Sequence, residues 1–130
     1  MEGAHSLSIN NHLVAIVDDD QSVLRGLRRL LDAWSLSTAV FRSGEEFLDF
    51  DGMRDIECVV LDIHLEGISG IETRRRLAEL DSTIPVIFMT GVDTETVRKE
   101  AMAAGCVAYL SKPFSGDELV NAIRKAASLH

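Results

Sequence analysis

Apolar residues fall in five short runs, and between them lie five stretches with helical spacing, so that the two kinds of segment alternate along the chain. The run 13–17 is apolar throughout and ends on Asp18-Asp19-Asp20. Behind it Val23, Leu24, Leu27, Leu30, Leu31 and Trp34 share one face, with Arg25, Arg28 and Arg29 opposite, which predicts an amphipathic helix packed through that stripe. Residues 37–41 are the second strand candidate. Ser43-Gly44-Glu45-Glu46 has the spacing of a capping box and predicts a short helix running to Phe50. The third strand covers 56–62. A turn at 67–70 leads to a helix marked by Ile71, Leu77 and Leu80, whose Arg74-Arg75-Arg76 reads as a solvated face. The fourth strand, 85–89, is continuous in apolar character, as expected for a strand covered on both sides. The helix over 93–104 has alanine at most apolar positions, Val97 and Met102 being the main exceptions, so it is expected to pack loosely. Residues 106–110 are the fifth strand, and Ser115-Gly116-Asp117-Glu118 repeats the capping-box spacing ahead of a helix with Leu119, Val120 and Ile123.

Strict alternation of strands and helices implies a parallel sheet with helices on both faces and right-handed crossovers. A chain of 130 residues is one domain with room for a proper core. Residues 1–12 show no sustained periodicity and read as a flexible tail, which leaves 13–128 as the domain.

Charge narrows the function. A formal net charge of −8 argues against direct nucleic-acid binding, which depends on neutralising phosphates with Lys and Arg. No apolar stretch is long enough to span a membrane, and the N-terminus lacks the basic and apolar regions of a signal peptide, so the expected location is cytoplasmic. Cys58 and Cys106 fall in separate strand candidates without CxxC spacing or a histidine cluster and read as inert core thiols.

The four strand runs with chemistry at their C-terminal ends deliver acid, acid, hydroxyl and amine in that order: Asp18-Asp19-Asp20, Asp62, Thr90 and Lys112. In open parallel sheets ligands bind in the crevice outside those ends, so the side chains are expected to meet. Carboxylates crowded in one crevice repel unless a cation sits between them. With oxygen donors only and too few acids for a closed cage, Mg²⁺ is favoured, with Mn²⁺ able to substitute. Asp19 and Asp62 are the expected direct ligands, together with a backbone carbonyl just after Asp62, that of His64, while Asp18 bonds to metal waters. Asp20 is expected to cap the following helix. Three successive aspartates alone fit a helix cap or a solvated turn equally well. Lys112 and Thr90 add what a phosphoryl group needs, because its transfer is catalysed by positioning and electrostatics, with Asp62 placed as the nucleophile.

Val17-Asp18-Asp19-Asp20, Leu61-Asp62 with Gly70 eight residues on, Thr90-Gly91 and Lys112-Pro113-Phe114 together resemble the receiver domain of two-component response regulators, and within it the FixJ-type regulators. The resemblance covers about residues 13–128. It implies a flavodoxin-like strand order of 2-1-3-4-5, phosphate transfer to Asp62 from a phosphohistidine of a sensor histidine kinase or histidine phosphotransfer protein, Mg²⁺ held by Asp18 and Asp19, and phosphoryl contacts from Thr90 and Lys112. Since the third and fifth strands are then not neighbours, it also implies no Cys58–Cys106 disulfide. A phosphoryl group that draws the Thr90 hydroxyl inward is expected to let Tyr109 rotate, change the face of the fourth helix, fifth strand and fifth helix, and promote phosphorylation-dependent self-association through it. Tyr109 matches the family's switch aromatic; the alternative reading is a half-buried strand aromatic with its hydroxyl in water.

Three positions depart from the common pattern. Glu66 replaces a frequent proline and adds negative charge near the acids, His64 stands two residues after Asp62 and reads as an exposed, uninvolved histidine, and Gly91 leaves the roof of the site open. Two rival functions share parts of the pattern. An aspartyl-nucleophile phosphatase needs a second acid where His64 stands, and a flavin-binding domain needs a phosphate cradle where Asp18-Asp19-Asp20 would repel phosphate. The chain stops at His130 just after the fifth helix, which fits either a stand-alone receiver or an excised N-terminal domain.

Overall fold

The computed structural model describes residues 13–128; the tail expected over 1–12 lies outside them. Five strands alternate with five helices: β1 Leu13–Val17, α1 Gln21–Ala33, β2 Ser37–Phe41, α2 Gly44–Leu48, β3 Ile56–Asp62, α3 Gly70–Glu79, β4 Val86–Thr90, α4 Glu95–Ala104, β5 Ala108–Ser111 and α5 Gly116–Ala127. All strand pairs are parallel, in the order β2-β1-β3-β4-β5. The flavodoxin-like α/β architecture expected from the sequence is therefore the one found.

Successive strand residues point to opposite faces, and because both faces are covered the strands are apolar throughout. Val14, Ile16, Cys58, Val60, Ile87, Met89 and Leu110 pack under α1 and α5, against Leu24, Leu31, Leu119 and Ile123. Ala15, Val17, Val59, Leu61, Val86 and Phe88 pack under α2, α3 and α4, against Phe47, Ile71 and Leu77. From α4 only Ala101 is fully buried, which bears out the loose packing expected of that helix.

Several expectations are corrected. Met102 is 51 % exposed and does not anchor α4, while Trp34 (43 %) and Leu80 (63 %) sit at helix C-caps outside the stripes they extended. Trp34 instead lies under the guanidinium of Arg124, 5.1 Å from its ring centroid. α2 stops at Leu48, and Phe50 folds back edge-on to Phe41. β5 starts at Ala108 because Gly105, with φ +96°, carries the turn before it; Cys106 thus lies half-buried in that turn and not in the core. Cys58 is a core thiol, pushed up to about 12 chiefly by burial. Arg74 is not part of a solvated face: its Nε donates to the Gly105 carbonyl at 2.9 Å and ties α3 to the same turn.

The caps show how the ends are set. Asp20 accepts from Ser22 N–H, as expected of a cap. Ser115 and Glu118 form the full reciprocal box. At Ser43 the box is shifted, because Glu46 accepts from Arg42 N–H in place of Ser43 N–H. Ser69 accepts from Glu72 N–H at the start of α3. Here Gly70 is needed for contact: a Cβ at this position would collide with the Asp62 carbonyl oxygen, and Gly70 N–H donates to Ile63 O at 2.9 Å. α3 thus starts flush against the backbone of the acid.

Gly70→Ala is expected to lose about 2–3 kcal/mol in urea unfolding, through overpacking against β3. Gly91→Ala, where a Cβ meets nothing within 4 Å, is expected to be neutral or slightly stabilising. Equal melts for Gly70→Ala and the wild type contradict this reading of the contact.

Candidate functional site

Strand register does most of the assembly. Val17 pairs with Leu61, so Asp18 and Asp62 emerge side by side from adjacent strands, and Asp18 N–H extends the ladder to Phe41 O. Asp62 pairs with Met89, and Thr90, one residue further, pairs with Ser111. Lys112 follows at once, its N–H donating to Thr90 O at 2.8 Å and its peptide to Pro113 cis. Asp18 and Asp62 are level, β4 and β5 each carry their group one residue further, and the four chemical groups converge on one edge.

Lys112 Nζ donates to Asp18 Oδ2 at 2.9 Å and to Asp62 Oδ2 at 3.2 Å. Both acids are buried, Asp62 being 5 % exposed. Asp18 Oδ1 accepts from Asp20 N–H and Asp62 Oδ1 from His64 N–H. Asp18, Asp19 and Asp62 each place a carboxylate oxygen within 4.8 Å of the others. Three acids with only oxygen to offer fit a hard divalent cation and not zinc or copper, so the residues present suit the metal the fold implies.

Burial raises the Asp62 carboxyl above the usual carboxylate range; Lys112 pulls it back, Asp18 pushes it up again, and the net direction is upward. Burial also opposes the charge on Lys112, but its bond to Asp18 and the nearby Asp62 outweigh this and hold the ammonium above its ordinary value. Both values move up, which disfavours the charged form of Asp62 and favours that of Lys112. Lys112 is served by two carboxylates and reaches water, whereas Asp62 shares one ammonium with a second acid in a drier place.

The loop after Asp62 is braced from several sides. Glu66 N–H donates to Asp19 Oδ2 at 3.1 Å, so the backbone at this departure from the family pattern supports the acid cluster. Ile68 N–H donates to Glu45 Oε2 from the N-terminus of α2, and Gly67, at φ +79°, passes directly beside that carboxylate. Glu45 carries no signal for this in the sequence, since the contact joins residues 23 apart.

Thr90 is fully buried, and its hydroxyl is engaged in the free protein. It accepts from Val92 N–H at 2.9 Å. Its proton faces Val92 O at 3.2 Å, and it also meets His64 Nδ1 at 3.3 Å, where the imidazole tautomer decides which of the two donates. His64 is exposed as expected but not uninvolved. Tyr109 is half-buried on β5, and its hydroxyl donates to Asp93 Oδ1 at 3.0 Å in place of the water expected. Asp93 is free to receive it because Thr94 is the N-cap of α4. Of the residues expected to act, Asp18, Asp19, Asp62 and Lys112 meet directly and Thr90 reaches the group through His64, whereas Tyr109 stands apart among Asp93 and Arg98.

A doubly wound sheet with acids, hydroxyl and amine at the carboxyl ends of four strands has the chemistry to hold a cation and a phosphoryl group. The sequence profile of the response regulator receiver domain matches residues 14–124. Response regulator protein TmoT of Ectopseudomonas mendocina is 34 % identical over 98 % of this chain, and transcriptional regulatory protein FixJ of Bradyrhizobium diazoefficiens is 34 % identical over 87 %. The chain spans 58 % and 55 % of their lengths. The crystal structure of FixJ-N superposes with a TM-score of 0.82 at 33 % identity, over 90 % of this chain and 94 % of that one. The chain belongs to the receiver domains of two-component response regulators, the phosphate-accepting switches of these pathways. Family membership displaces the phosphatase and flavin readings. Among the described residues no helix is long and apolar enough to cross a membrane.

Because the folded-state value of Asp62 is raised, its contribution to stability is greatest below the ordinary carboxylate value and is lost as pH rises through the raised one. In metal-free buffer Asp62→Asn should therefore melt above the wild type at pH 7, with the gap closing at acid pH. A variant that melts at or below the wild type at pH 7 contradicts the direction.

Proposed function

We propose that Asp62 is the phosphoacceptor of this receiver domain and that Lys112 and Thr90 handle the incoming group. The observation that carries this reading is the pairing of buried Asp62 with Lys112 Nζ at 3.2 Å, beside two further carboxylates. Such an acid is dry enough to be nucleophilic and sits next to a movable cation. One Asp62 oxygen attacks phosphorus as the bond from phosphorus to a histidine nitrogen on the donor breaks, and the electron pair leaves with the imidazole. As charge grows on the phosphoryl oxygens, the Lys112 ammonium turns from the acids toward them, and the Thr90 hydroxyl gives up Val92 or His64 to donate to one of them.

Asp18, Asp19, Asp62 and the backbone carbonyl of His64 would hold Mg²⁺, or Mn²⁺ in its place. Bound there, the ion supplies neutralising charge for the acids and the phosphoryl group. The chain catalyses only its own phosphorylation and dephosphorylation.

The donor is a sensor histidine kinase or a histidine phosphotransfer protein, met in the cytoplasm by a domain extending over 13–128. Phosphorylation changes the face made by α4, β5 and α5 and promotes pairing of two copies through it. A net charge of −8 leaves nucleic-acid contact to other partners.

With a small acyl phosphate and Mg²⁺, intact mass is expected to rise by one phosphoryl group. Asp62→Asn should abolish the gain, Asp19→Asn should remove most of the metal dependence, and Lys112→Met should slow transfer about 100-fold. An undiminished gain in Asp62→Asn overturns the assignment.

A further inference from the structure

Asp93, Arg98 and Tyr109 form a closed cluster outside the acid site. Tyr109 hydroxyl donates to Asp93 Oδ1 at 3.0 Å, and Arg98 Nη2 donates to both Asp93 oxygens, at 3.1 and 3.0 Å. The Arg98 guanidinium also covers the Tyr109 ring, 4.7 Å from its centroid. One phenol is therefore held at its edge by a carboxylate and on its face by the cation that orients that carboxylate. The ring lies on the α4 side of the sheet, only partly packed against the core there.

The cluster is wired to the site by a short segment. Thr90 Oγ1 accepts from Val92 N–H, Thr94 N–H donates to Val92 O, and Asp93 stands between them. Gly91 faces open space, with no heavy atom within 4 Å of where a Cβ would stand. If Thr90 hydroxyl is drawn toward a phosphoryl group, Val92 N–H loses its acceptor and the turn carrying Asp93 loses its anchor.

We propose that Asp93, braced by Arg98, is a positioning residue for Tyr109: it holds the ring outward in the unphosphorylated protein, so that activation must break the Tyr109–Asp93 bond. The proposal rests on the reading of Asp62 and Thr90 given above. In line with it, burial and then the bond to Asp93 push the phenol above its ordinary value, against a smaller opposing pull from Arg98; Cys106 is the other titratable group nearby.

Tyr109 is the single tyrosine of the chain, which makes the contact directly readable. A phenol titration followed by NMR of ring-labelled tyrosine is expected to move toward the ordinary value in Asp93→Ala. Beryllofluoride binding in the presence of Mg²⁺ reports the switch. Breaking the latch enlarges the binding-competent fraction, so Asp93→Ala and Tyr109→Phe should each tighten binding, by about fivefold. In the double variant the second change should add nothing, since both remove one interaction. Tyr109→Phe changes no charge, so its effect separates a latch from the simple loss of an acid near an anion site. The proposal is overturned if Asp93→Ala leaves the phenol titration unmoved, if Tyr109→Phe binds as the wild type does, or if Asp93→Ala tightens binding equally with and without the phenol. If the wild type takes up no beryllofluoride at all, the reading of the Asp62 site fails first and the proposal falls with it, a result distinct from failures confined to the variants.

Discussion

The ammonium of Lys112, shared between two buried carboxylates from neighbouring strands, is the interaction on which the rest of the site depends. Parallel pairing of β1 with β3 leaves Asp18 and Asp62 no choice but to emerge together. Two like charges in so dry a place are costly, and the cost is met by a lysine whose long stem reaches back from beyond β5. A site built this way is responsive by construction. Any added cation relieves it, and any added anion on Asp62 draws the ammonium away from Asp18. On the function proposed for Asp62, this is how the fold would make an aspartate into an acceptor: it supplies dryness, a neighbouring acid and one positive charge within reach.

The two sides of the crevice are built differently. On the α2–α3 side the loop after Asp62 is held by Asp19 on Glu66 N–H, by Glu45 on Ile68 N–H, and by the fit of Gly70 against the Asp62 backbone. On the α4 side the turn 91–94 is tied through the Thr90 hydroxyl and through Asp93 to Arg98 and Tyr109, is left open at Gly91, and leads to a helix with one fully buried residue. On the proposed function, a change of charge at Asp62 meets more hydrogen bonds and closer packing on the α2–α3 side than on the α4 side, so movement is expected toward α4 and β5. Weak packing in α4 is thus a directional property and not merely a defect.

Much of this was legible in the sequence because it is encoded locally. The alternation of apolar runs and amphipathic stretches gives the doubly wound sheet, and the chemistry at four strand ends gives the site, since sheet topology converts strand ends into neighbours. Asp20 as a cap and the alanine-rich α4 were readable for the same reason. Contacts between distant segments were not. Nothing near Glu45 announces that it braces 67–68, and nothing near Asp93 announces that Thr94 takes over the cap and frees it for Tyr109, 16 residues away. Periodicity also overran the helix ends, where Trp34 and Leu80 continue the apolar spacing after the backbone has left the helix. Arg74 misled because its charge suggests solvent, while the carbonyl it satisfies is created by the turn at Gly105.

The central claim is that the crowding of carboxylates around Asp62, relieved by a cation, sets the chemistry of the acceptor. Carbon-13 NMR of carboxyl-labelled aspartate tests it most directly, by following the Asp62 resonance through a pH titration with and without Mg²⁺. The account predicts that Asp62 titrates above the ordinary aspartate range in metal-free protein and moves down when Mg²⁺ is added. An Asp62 that titrates in the ordinary range and ignores the metal would contradict it.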